Sequence, residues 1–256
     1  MTLDVALVQS ELSWEAPEAN RRHFDGLLQP LGQGPDLIVL PEMFTSGFTM
    51  QPGNLDANAG PRTLDWMAEW ARKADAAVAG SLVWAEGGTH TNRMVFMLPD
   101  GSYHSYDKRH TFTLAGEDKA YARGNRQVLV PFRGFVFHLQ ICYDLRFPVW
   151  SRNTMDYDAL LYVANWPVPR IGAWDALLKA RAIENMAYAL GVNRTGTDPK
   201  HQYCGHSAAY DALGGQLAFL EQDSGVLRVE LSREHLDQTR SQLRFLADRD
   251  AFTPGW

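Results

Sequence analysis

Short apolar runs alternate with longer segments of helical spacing along the first three quarters of the chain. Apolar runs that predict strands lie at 5–9, 36–40, 77–84, 135–142 and 159–164. Apolar residues recur every three or four positions at 17–31, 61–71 and 173–189, which predicts amphipathic helices. The run at 36–40 is continuous, as in a strand that is covered on both faces.

Hairpin signals join this pattern in the middle and near the end of the chain. Strand-like runs at 92–98 and 103–108 flank the turn sequence Pro99-Asp100-Gly101-Ser102. Later strands are predicted at 190–193, 207–211, 217–220 and 226–231. Helices between parallel-looking strands, together with hairpins, predict one layered α/β domain over residues 1–256, with helices on the faces of a mixed sheet system.

Three chemically different side chains directly follow predicted strands. Glu42 follows the run at 36–40, Lys108 follows 103–107, and Cys142 ends the run at 135–142. A turn-forming Tyr143-Asp144 comes immediately after the cysteine. Because each group lies just past a strand, the three could converge at one edge of a sheet. An acid, an amine and a thiol together suffice for acyl transfer at a carbon–nitrogen bond.

Each group has a defined task in such a reaction. A free thiol has a pKa near ~8.5 and needs a base such as Glu42 to take its proton as it attacks. Lys108 and the backbone N–H of Tyr143 are the candidate donors to the oxyanion, each worth roughly 3–4 kcal/mol. On spacing alone, a cysteine such as Cys142 is more often a small core residue than a nucleophile, and residues such as Glu42 and Lys108 are usually solvated loop residues.

Composition restricts the possible functions further. The chain has 256 residues, 45% of them hydrophobic, and a formal net charge of -6. With no cluster of Lys and Arg, this balance argues against a nucleic-acid binder. The two cysteines, Cys142 and Cys204, form no disulfide framework, which fits a reducing compartment. No signal peptide and no apolar run of membrane-spanning length is evident, so we expect a cytoplasmic protein.

Three motifs around these residues resemble the catalytic motifs of the nitrilase superfamily of carbon–nitrogen hydrolases, in the order of that family. They are Pro41-Glu42-Met43-Phe44, Tyr106-Asp107-Lys108-Arg109-His110 and Ile141-Cys142-Tyr143-Asp144-Leu145-Arg146-Phe147-Pro148. The likeness covers nearly the whole chain and includes segments at 164–167, 181–185, 193–196 and 205–215. Residues 42–50 and 165–167 are most similar to the ω-amidase branch, which hydrolyses the terminal amide of short α-keto acid amides such as 2-oxoglutaramate.

The resemblance implies a four-layer αββα sandwich, a homodimer and a small-molecule amide substrate. It implies Glu42 as the base, Lys108 as the oxyanion stabiliser, Cys142 as the nucleophile and Glu117 as an assisting acid. Trp166, just past a predicted strand, either walls the substrate pocket or anchors a loop. The expected reaction is hydrolysis of the terminal amide of a small dicarboxylic or α-keto acid, through a Cys142 thioester, with release of ammonia.

Other polar residues have weaker claims on function. The spacings of His110, His138, His201 and His206 fit no zinc pattern, so neither a metal nor another cofactor is expected. Cys204 has no acid beside it in sequence and is expected to be structural, and His138 to be packed and hydrogen-bonded. A substrate carboxylate calls for a second cation, and Arg146 and Arg170 are equal candidates.

Several alternatives stay open on the sequence alone. A nitrilase, a carbamoyl-amide hydrolase and an amide-forming acyltransferase would use the same thioester chemistry with a different pocket or second nucleophile. A non-catalytic binding protein on the same fold would need none of the three groups.

Overall fold

Two six-stranded sheets and a small hairpin account for the strands of this computed structural model, which describes residues 1–252. The strands in chain order are β1 (Thr2–Gln9), β2 (Leu37–Val39), β3 (Ala77–Glu86), β4 (Thr89–Met97), β5 (Tyr103–Asp107), β6 (Leu129–Phe132), β7 (Phe135–Ile141), β8 (Ala159–Ala164), β9 (Tyr188–Asn193), β10 (Thr195–Thr197), β11 (Gln202–Cys204), β12 (Ser207–Tyr210), β13 (Gln216–Leu220) and β14 (Gly225–Ser232).

Each large sheet has a parallel centre and antiparallel edges. The first has the order β14-β1-β2-β3-β4-β5, and β1, β2 and β3 run parallel. The second has the order β13-β12-β9-β8-β7-β6, and β7, β8 and β9 run parallel. Strands β10 and β11 form a separate two-stranded hairpin.

The main core lies between the two sheets. It is formed by alternate residues of the inner strands, because successive side chains of a strand point to opposite faces. Leu37 and Val39 of β2 belong to the same cluster of buried side chains as Leu139 and Ile141 of β7. This arrangement places the ends of strands from both sheets around a common rim.

Helices cover the outer faces. They are α1 (Pro17–Leu28), α2 (Ala59–Ala74), α3 (Glu117–Ala120), α4 (Pro148–Ser151), α5 (Ile171–Asn185) and α6 (Arg233–Leu243). Helices α1 and α2 bury Phe24, Met67 and Trp70 against the first sheet. Helix α5 buries Trp174 and Leu178 against the second. The layers are therefore helix, sheet, sheet, helix, which confirms the predicted αββα class.

Several local predictions were wrong at their edges. Helix α5 ends at Asn185, not at 189, because Met186 adopts a left-handed φ of 44° and its N–H caps the carbonyls of Ala182 and Ile183. The final turn of the predicted helix 17–31 is a 3₁₀ turn, Gln29–Leu31. Strands β6, β10 and β11 and helix α6 were not predicted.

No helix within residues 1–252 is long and apolar enough to cross a membrane.

Candidate active site

The side chains of Glu42, Lys108 and Cys142 lie together at one rim of the two-sheet core. They follow β2, β5 and β7, so the first two come from one sheet and the third from the other. The Nζ of Lys108 lies 2.8 Å from Glu42 Oε1, and the Cys142 thiol lies close enough to Glu42 for the carboxylate to raise its pKa. Residues 66 and 100 positions apart in the chain thus share one cluster.

Two asparagines fix the carboxylate of Glu42. Asn92 Nδ2 donates to Glu42 Oε1 at 2.8 Å, and the backbone N–H of Asn165 donates to Oε2 at 2.8 Å. Asn165 Nδ2 also donates to the Glu42 carbonyl at 2.6 Å. The hydroxyl of Ser81 donates to Asn92 Oδ1 at 2.8 Å, which turns the amide nitrogen toward Glu42. The buried carboxylate is therefore held in one orientation.

Lys108 lies between two carboxylates. Its Nζ contacts both oxygens of Glu117 at 3.0 Å, in addition to Glu42. The side chains are 1% exposed for Lys108 and 0% for both glutamates, so water does not screen these charges. Burial alone lowers the pKa of Lys108, but the charges of Glu117 and Glu42 outweigh it, and the pKa lies above its ordinary value. The side chain is an ammonium at neutral pH.

Glu117 is held by the loop that follows Lys108. It is the first residue of α3, and its carboxylate accepts the backbone N–H of Phe112. Burial raises the pKa of Glu117, and the nearby ammonium of Lys108 offsets that effect only in part. The chain then passes so close to β5 that a Cβ at Gly124 would lie 2.0 Å from the carbonyl of Asp107, so this position requires glycine.

Cys142 occupies a strained backbone conformation. It begins a 3₁₀ turn, Cys142–Arg146, with a φ of +45°, a region that residues other than glycine rarely adopt. Burial raises the pKa of its thiol well above the usual value, the charge of Glu42 raises it further, and Lys108 only partly opposes them. At neutral pH the sulfur is therefore a thiol, beside a carboxylate that can accept its proton.

Asp144 holds this turn in place. Its Oδ2 accepts the backbone N–H of Ile141 at 3.0 Å and the hydroxyl of Tyr106 at 2.7 Å. Its Oδ1 accepts the backbone N–H and the ring N–H of His110 at 3.0 and 2.8 Å. The His110 ring in turn stacks on Phe147, with 3.7 Å between centroids. One buried carboxylate thus ties the turn of Cys142 to the segment of Lys108.

A pocket opens beside the thiol and encloses about 440 Å³, its open mouth included. Trp166 lines this pocket and also anchors a loop, since its Nε1 donates to the Arg170 carbonyl at 2.7 Å. The ring thus borders the pocket and anchors the loop, and its contact with a substrate stays a prediction. Tyr143 follows Cys142 in the wall. The remaining lining residues are Phe48, Lys108, Phe112, Ala115, Arg146, Asn165, Pro167, Arg170, His201 and Tyr203.

Arg146 and Arg170 both line the pocket. The guanidinium of Arg146 lies over the Trp166 ring at 4.9 Å, and that of Arg170 lies over the Phe112 ring at 5.0 Å. Stacking on aromatic faces orients the guanidinium groups while leaving their N–H edges for an anion. The structure therefore supplies two cations near the thiol besides Lys108.

The other singled-out residues lie outside this cluster. Cys204 is half-buried on β11, and His206 contacts Asp175 at 3.0 Å, neither of them lining the pocket. His138 is buried, and burial lowers its pKa to about 3, so it is neutral; its Nε2 lies 2.9 Å from Gln140 Nε2. Within residues 1–252, no group of three His, Cys, Asp or Glu side chains could hold a metal ion.

Sequence reasoning missed the residues that hold the reacting groups. Asn92, Asn165 and Asp144 were quoted only as members of strands or motifs, and Tyr203 only as a neighbour of Cys204. A signal did exist for Asn92, because it is a polar residue at the start of a predicted strand, and the structure buries it completely. Only the pairing of β3 with β4 shows that it faces Ser81 and Glu42.

Comparison with known proteins decides the family. A family model described as carbon-nitrogen hydrolase matches residues 4–241. The chain belongs to the carbon–nitrogen hydrolase family. The ω-amidase YafV of Yersinia enterocolitica is 46% identical over 255 residues, covering 98% of both chains. The 2-oxoglutaramate amidase of Bacillus subtilis is 30% identical over 255 residues, covering 97% of this chain and 98% of the relative.

A solved carbon–nitrogen hydrolase shares the fold in detail. A CN-hydrolase superfamily protein of Xanthomonas campestris, which carries an arsenic adduct in its active site, matches with a TM-score of 0.96 at 37% identity over 100% of both chains. The predicted membership of the nitrilase superfamily, closest to its ω-amidase branch, is confirmed. As a carbon–nitrogen hydrolase, the chain is an enzyme of the amidohydrolase type.

Proposed function

We propose that this protein is an ω-amidase, which hydrolyses the terminal amide of a small dicarboxylic or α-keto acid such as succinamate or 2-oxoglutaramate. The observation that carries the proposal is the buried Glu42–Lys108–Cys142 cluster at the wall of a pocket that also holds two arginines. The names of the Yersinia and Bacillus relatives support this substrate class.

In the first step the Cys142 sulfur attacks the amide carbon and Glu42 takes the thiol proton. Because burial and the charge of Glu42 raise the pKa of the thiol, no standing thiolate is available, and the proton must leave as the new bond forms. The carbon–sulfur bond forms, and the electron pair of the carbonyl moves onto its oxygen.

The oxyanion is stabilised by donors already in place. Lys108 remains an ammonium between Glu42 and Glu117, so it carries positive charge into the site without a change of protonation. The backbone N–H of Tyr143, at the second position of the 3₁₀ turn, is the proposed second donor. In a buried site such donors are typically worth about 3–4 kcal/mol each.

Collapse of the tetrahedral intermediate releases ammonia. The carbon–nitrogen bond breaks as Glu42 returns its proton to the leaving nitrogen, and the acyl group stays on Cys142 as a thioester. A water molecule then attacks the thioester carbon while Glu42 takes one of its protons. The carbon–sulfur bond breaks, the thiol regains a proton from Glu42, and the free acid leaves.

Glu117 and Trp166 have supporting roles in this proposal. Glu117 holds the ammonium of Lys108 with both oxygens and keeps it directed at the pocket. Trp166 packs beneath Arg146, so the aromatic ring and the cation form one surface for the substrate. Arg146 and Arg170 are proposed to bind the carboxylate at the far end of the substrate, which favours acidic amides over neutral ones.

Ammonia release from succinamate and 2-oxoglutaramate tests the activity, and intact-protein mass spectrometry tests the intermediate. We expect turnover with both substrates and a mass increase of one acyl group at Cys142. Cys142→Ala abolishes both signals, and Cys204→Ser, which alters the other cysteine, retains both. Undiminished turnover by Cys142→Ala or Cys142→Ser would end the proposal.

The same thioester also serves the other reactions considered above. A panel containing a nitrile, a carbamoyl amide and an amine acceptor separates them from amide hydrolysis, because only the pocket and second nucleophile differ.

A homodimer in the cytoplasm is the proposed setting. The family resemblance supports the dimer, and two free cysteines support a reducing compartment. Light scattering on the purified protein tests the first, and cell fractionation tests the second.

A further inference from the structure

Two pocket residues come from a part of the fold that holds none of the reacting groups. Most residues that line the pocket are, or lie within a few positions of, Glu42, Lys108, Glu117, Cys142 or Asn165 in the sequence. His201 and Tyr203 instead belong to the β10–β11 hairpin, whose two strands form a small sheet of their own. The hairpin therefore adds a wall to a pocket whose chemistry is complete without it.

Both rings of this hairpin border the pocket. Tyr203 is the central residue of β11, and His201 lies in the turn just before that strand. Their rings meet edge to face, with 6.4 Å between centroids. Tyr203 is 6% exposed, whereas His201 is half-buried and also lines the neighbouring surface pocket near Trp14 and Lys200. Tyr203 thus forms the inner part of the wall, and His201 forms its rim.

Asp198 fixes the hydroxyl of Tyr203. The hydroxyl donates to Asp198 Oδ2 at 2.5 Å, while Oδ1 accepts the backbone N–H groups of Lys200 and His201 at 2.7 Å each. The tyrosine is therefore anchored to the turn of its own hairpin. Its only donor proton is used by Asp198, so the ring offers the substrate an apolar face and no hydrogen-bond donor.

Arg194 supports the ring from the other side. Its guanidinium lies 4.5 Å from the centre of the Tyr203 ring and is fully buried. It also donates to the carbonyls of Thr195, Thr197 and Leu12 at 3.0, 3.0 and 3.1 Å, which fastens the hairpin to the chain after β1. A ring held at its hydroxyl and on its face cannot swing away to admit a larger group.

We propose that Tyr203 is the specificity residue that limits the length of the acyl chain, as a fixed apolar wall braced by Asp198 and Arg194. This inference rests on the proposed ω-amidase function and adds its preference for short substrates. The methylene groups of a four- or five-carbon acid pack against the ring while Arg146 and Arg170 hold the carboxylate. A six-carbon acid must displace a wall that the hairpin holds rigidly.

The test compares succinamate, glutaramate and adipamate, which have four, five and six carbons. We measure kcat/KM by ammonia release for the unaltered protein, Tyr203→Ala, Tyr203→Phe and the exposed control Tyr103→Ala. Tyr203→Ala raises the adipamate-to-succinamate ratio by about tenfold or more, the range expected for one or two methylenes in a pocket. Tyr203→Phe keeps the ring on Arg194 but loses the bond to Asp198, so the ratio rises less than in Tyr203→Ala, whereas Tyr103→Ala leaves it within about twofold.

Folding and function are monitored separately. Melting temperature and the stoichiometry of Cys142 alkylation show whether each variant is folded with its thiol in place, and Tyr203→Leu replaces Tyr203→Ala if the latter does not fold. A uniform fall of kcat/KM across the three lengths would overturn the proposal, because Tyr203 would then only support the hairpin. If the unaltered protein hydrolyses none of the three, the ω-amidase function itself fails, which is a different result.

Discussion

Asp144 and His110 join the turn that carries Cys142 to the segment that carries Lys108, through two hydrogen bonds of 2.8 and 3.0 Å to one carboxylate oxygen. The other oxygen holds the N–H of Ile141, the residue before the strained cysteine. A positive φ at a cysteine persists only where the surroundings enforce it. Asp144 therefore positions the thiol without touching the substrate.

Asp144→Asn is expected to reduce kcat by about 100-fold. Its new NH₂ group must face an N–H or O–H donor, and this repulsion shifts the turn that carries Cys142. A displacement of about 1 Å at a reacting group has a cost of that size. The rate of Cys142 alkylation should fall with kcat, while KM changes little. The measurements are steady-state kinetics and labelling with iodoacetamide.

The matched control for this change is Asp158→Asn. Asp158 is also buried and pairs with Arg233 and Arg240. It precedes the first residue of β8, whereas Asn165 of the cluster follows the last. Asp158→Asn should therefore lower the melting temperature without slowing alkylation of the folded protein. Equal effects of the two substitutions on alkylation would show that Asp144 contributes stability alone.

The pH dependence of Cys142 alkylation should report the charge of Glu42. Burial and then Glu42 raise the pKa of the thiol, and only the thiolate reacts, so the rate should keep rising with pH above the usual cysteine range. Glu42→Gln removes one raising influence and moves the profile to lower pH. A Cys204→Ser background leaves Cys142 as the sole reporter, and an unmoved profile would contradict the proposed coupling.

Substitution of the pocket arginines should affect acidic substrates selectively. Arg146→Ala and Arg170→Ala are each expected to raise KM for succinamate by about tenfold or more, since a charge-assisted hydrogen bond is worth about 1.5–3 kcal/mol. KM for butyramide, which has no carboxylate, should change little. If only one variant shows the selective effect, that arginine binds the carboxylate; a parallel loss on both substrates would indicate a general packing defect.

Gly191, at the contact between β9 and α5, tests the packing there, and Gly26 in α1 is its control. A Cβ at Gly191 would lie 2.4 Å from Leu178 and 2.7 Å from Trp174, so Gly191→Ala should reduce the free energy of unfolding by about 1–3 kcal/mol. Gly26, within α1, has no atom within 4 Å of that position, and Gly26→Ala should add about 0.5–1 kcal/mol. Denaturant titration measures both; equal signs would contradict the packing described.

The sequence predicted the layers well because their strands and helices are strongly patterned. The runs of β2, β7 and β8 are almost entirely buried on both faces, as expected for central strands of a covered sheet. Helix α6 was missed for the opposite reason, since it buries only Leu236 and Thr239 and has little periodicity to detect. The ends of elements depend on caps such as Met186, which apolar spacing does not reveal.

For the candidate site, sequence motifs indicated the reacting groups and missed their supports. Glu42, Lys108 and Cys142 stand in recognisable segments, and the structure brings them within reach of one another. Asn92, Asp144 and Tyr203 act through partners 50, 38 and 5 residues away in the chain. Such pairings follow from strand register and from the path of a hairpin, which a single sequence does not specify.

The seam between the two sheets runs through the cluster, since Glu42 and Lys108 extend from one sheet and Cys142 from the other. Any sliding of one sheet over the other separates the base from the sulfur before either sheet loses its own strand pairing. Catalytic turnover therefore depends directly on how firmly the two sheets pack together. On gradual heating, turnover should be lost at a lower temperature than the far-ultraviolet circular dichroism signal of the strands.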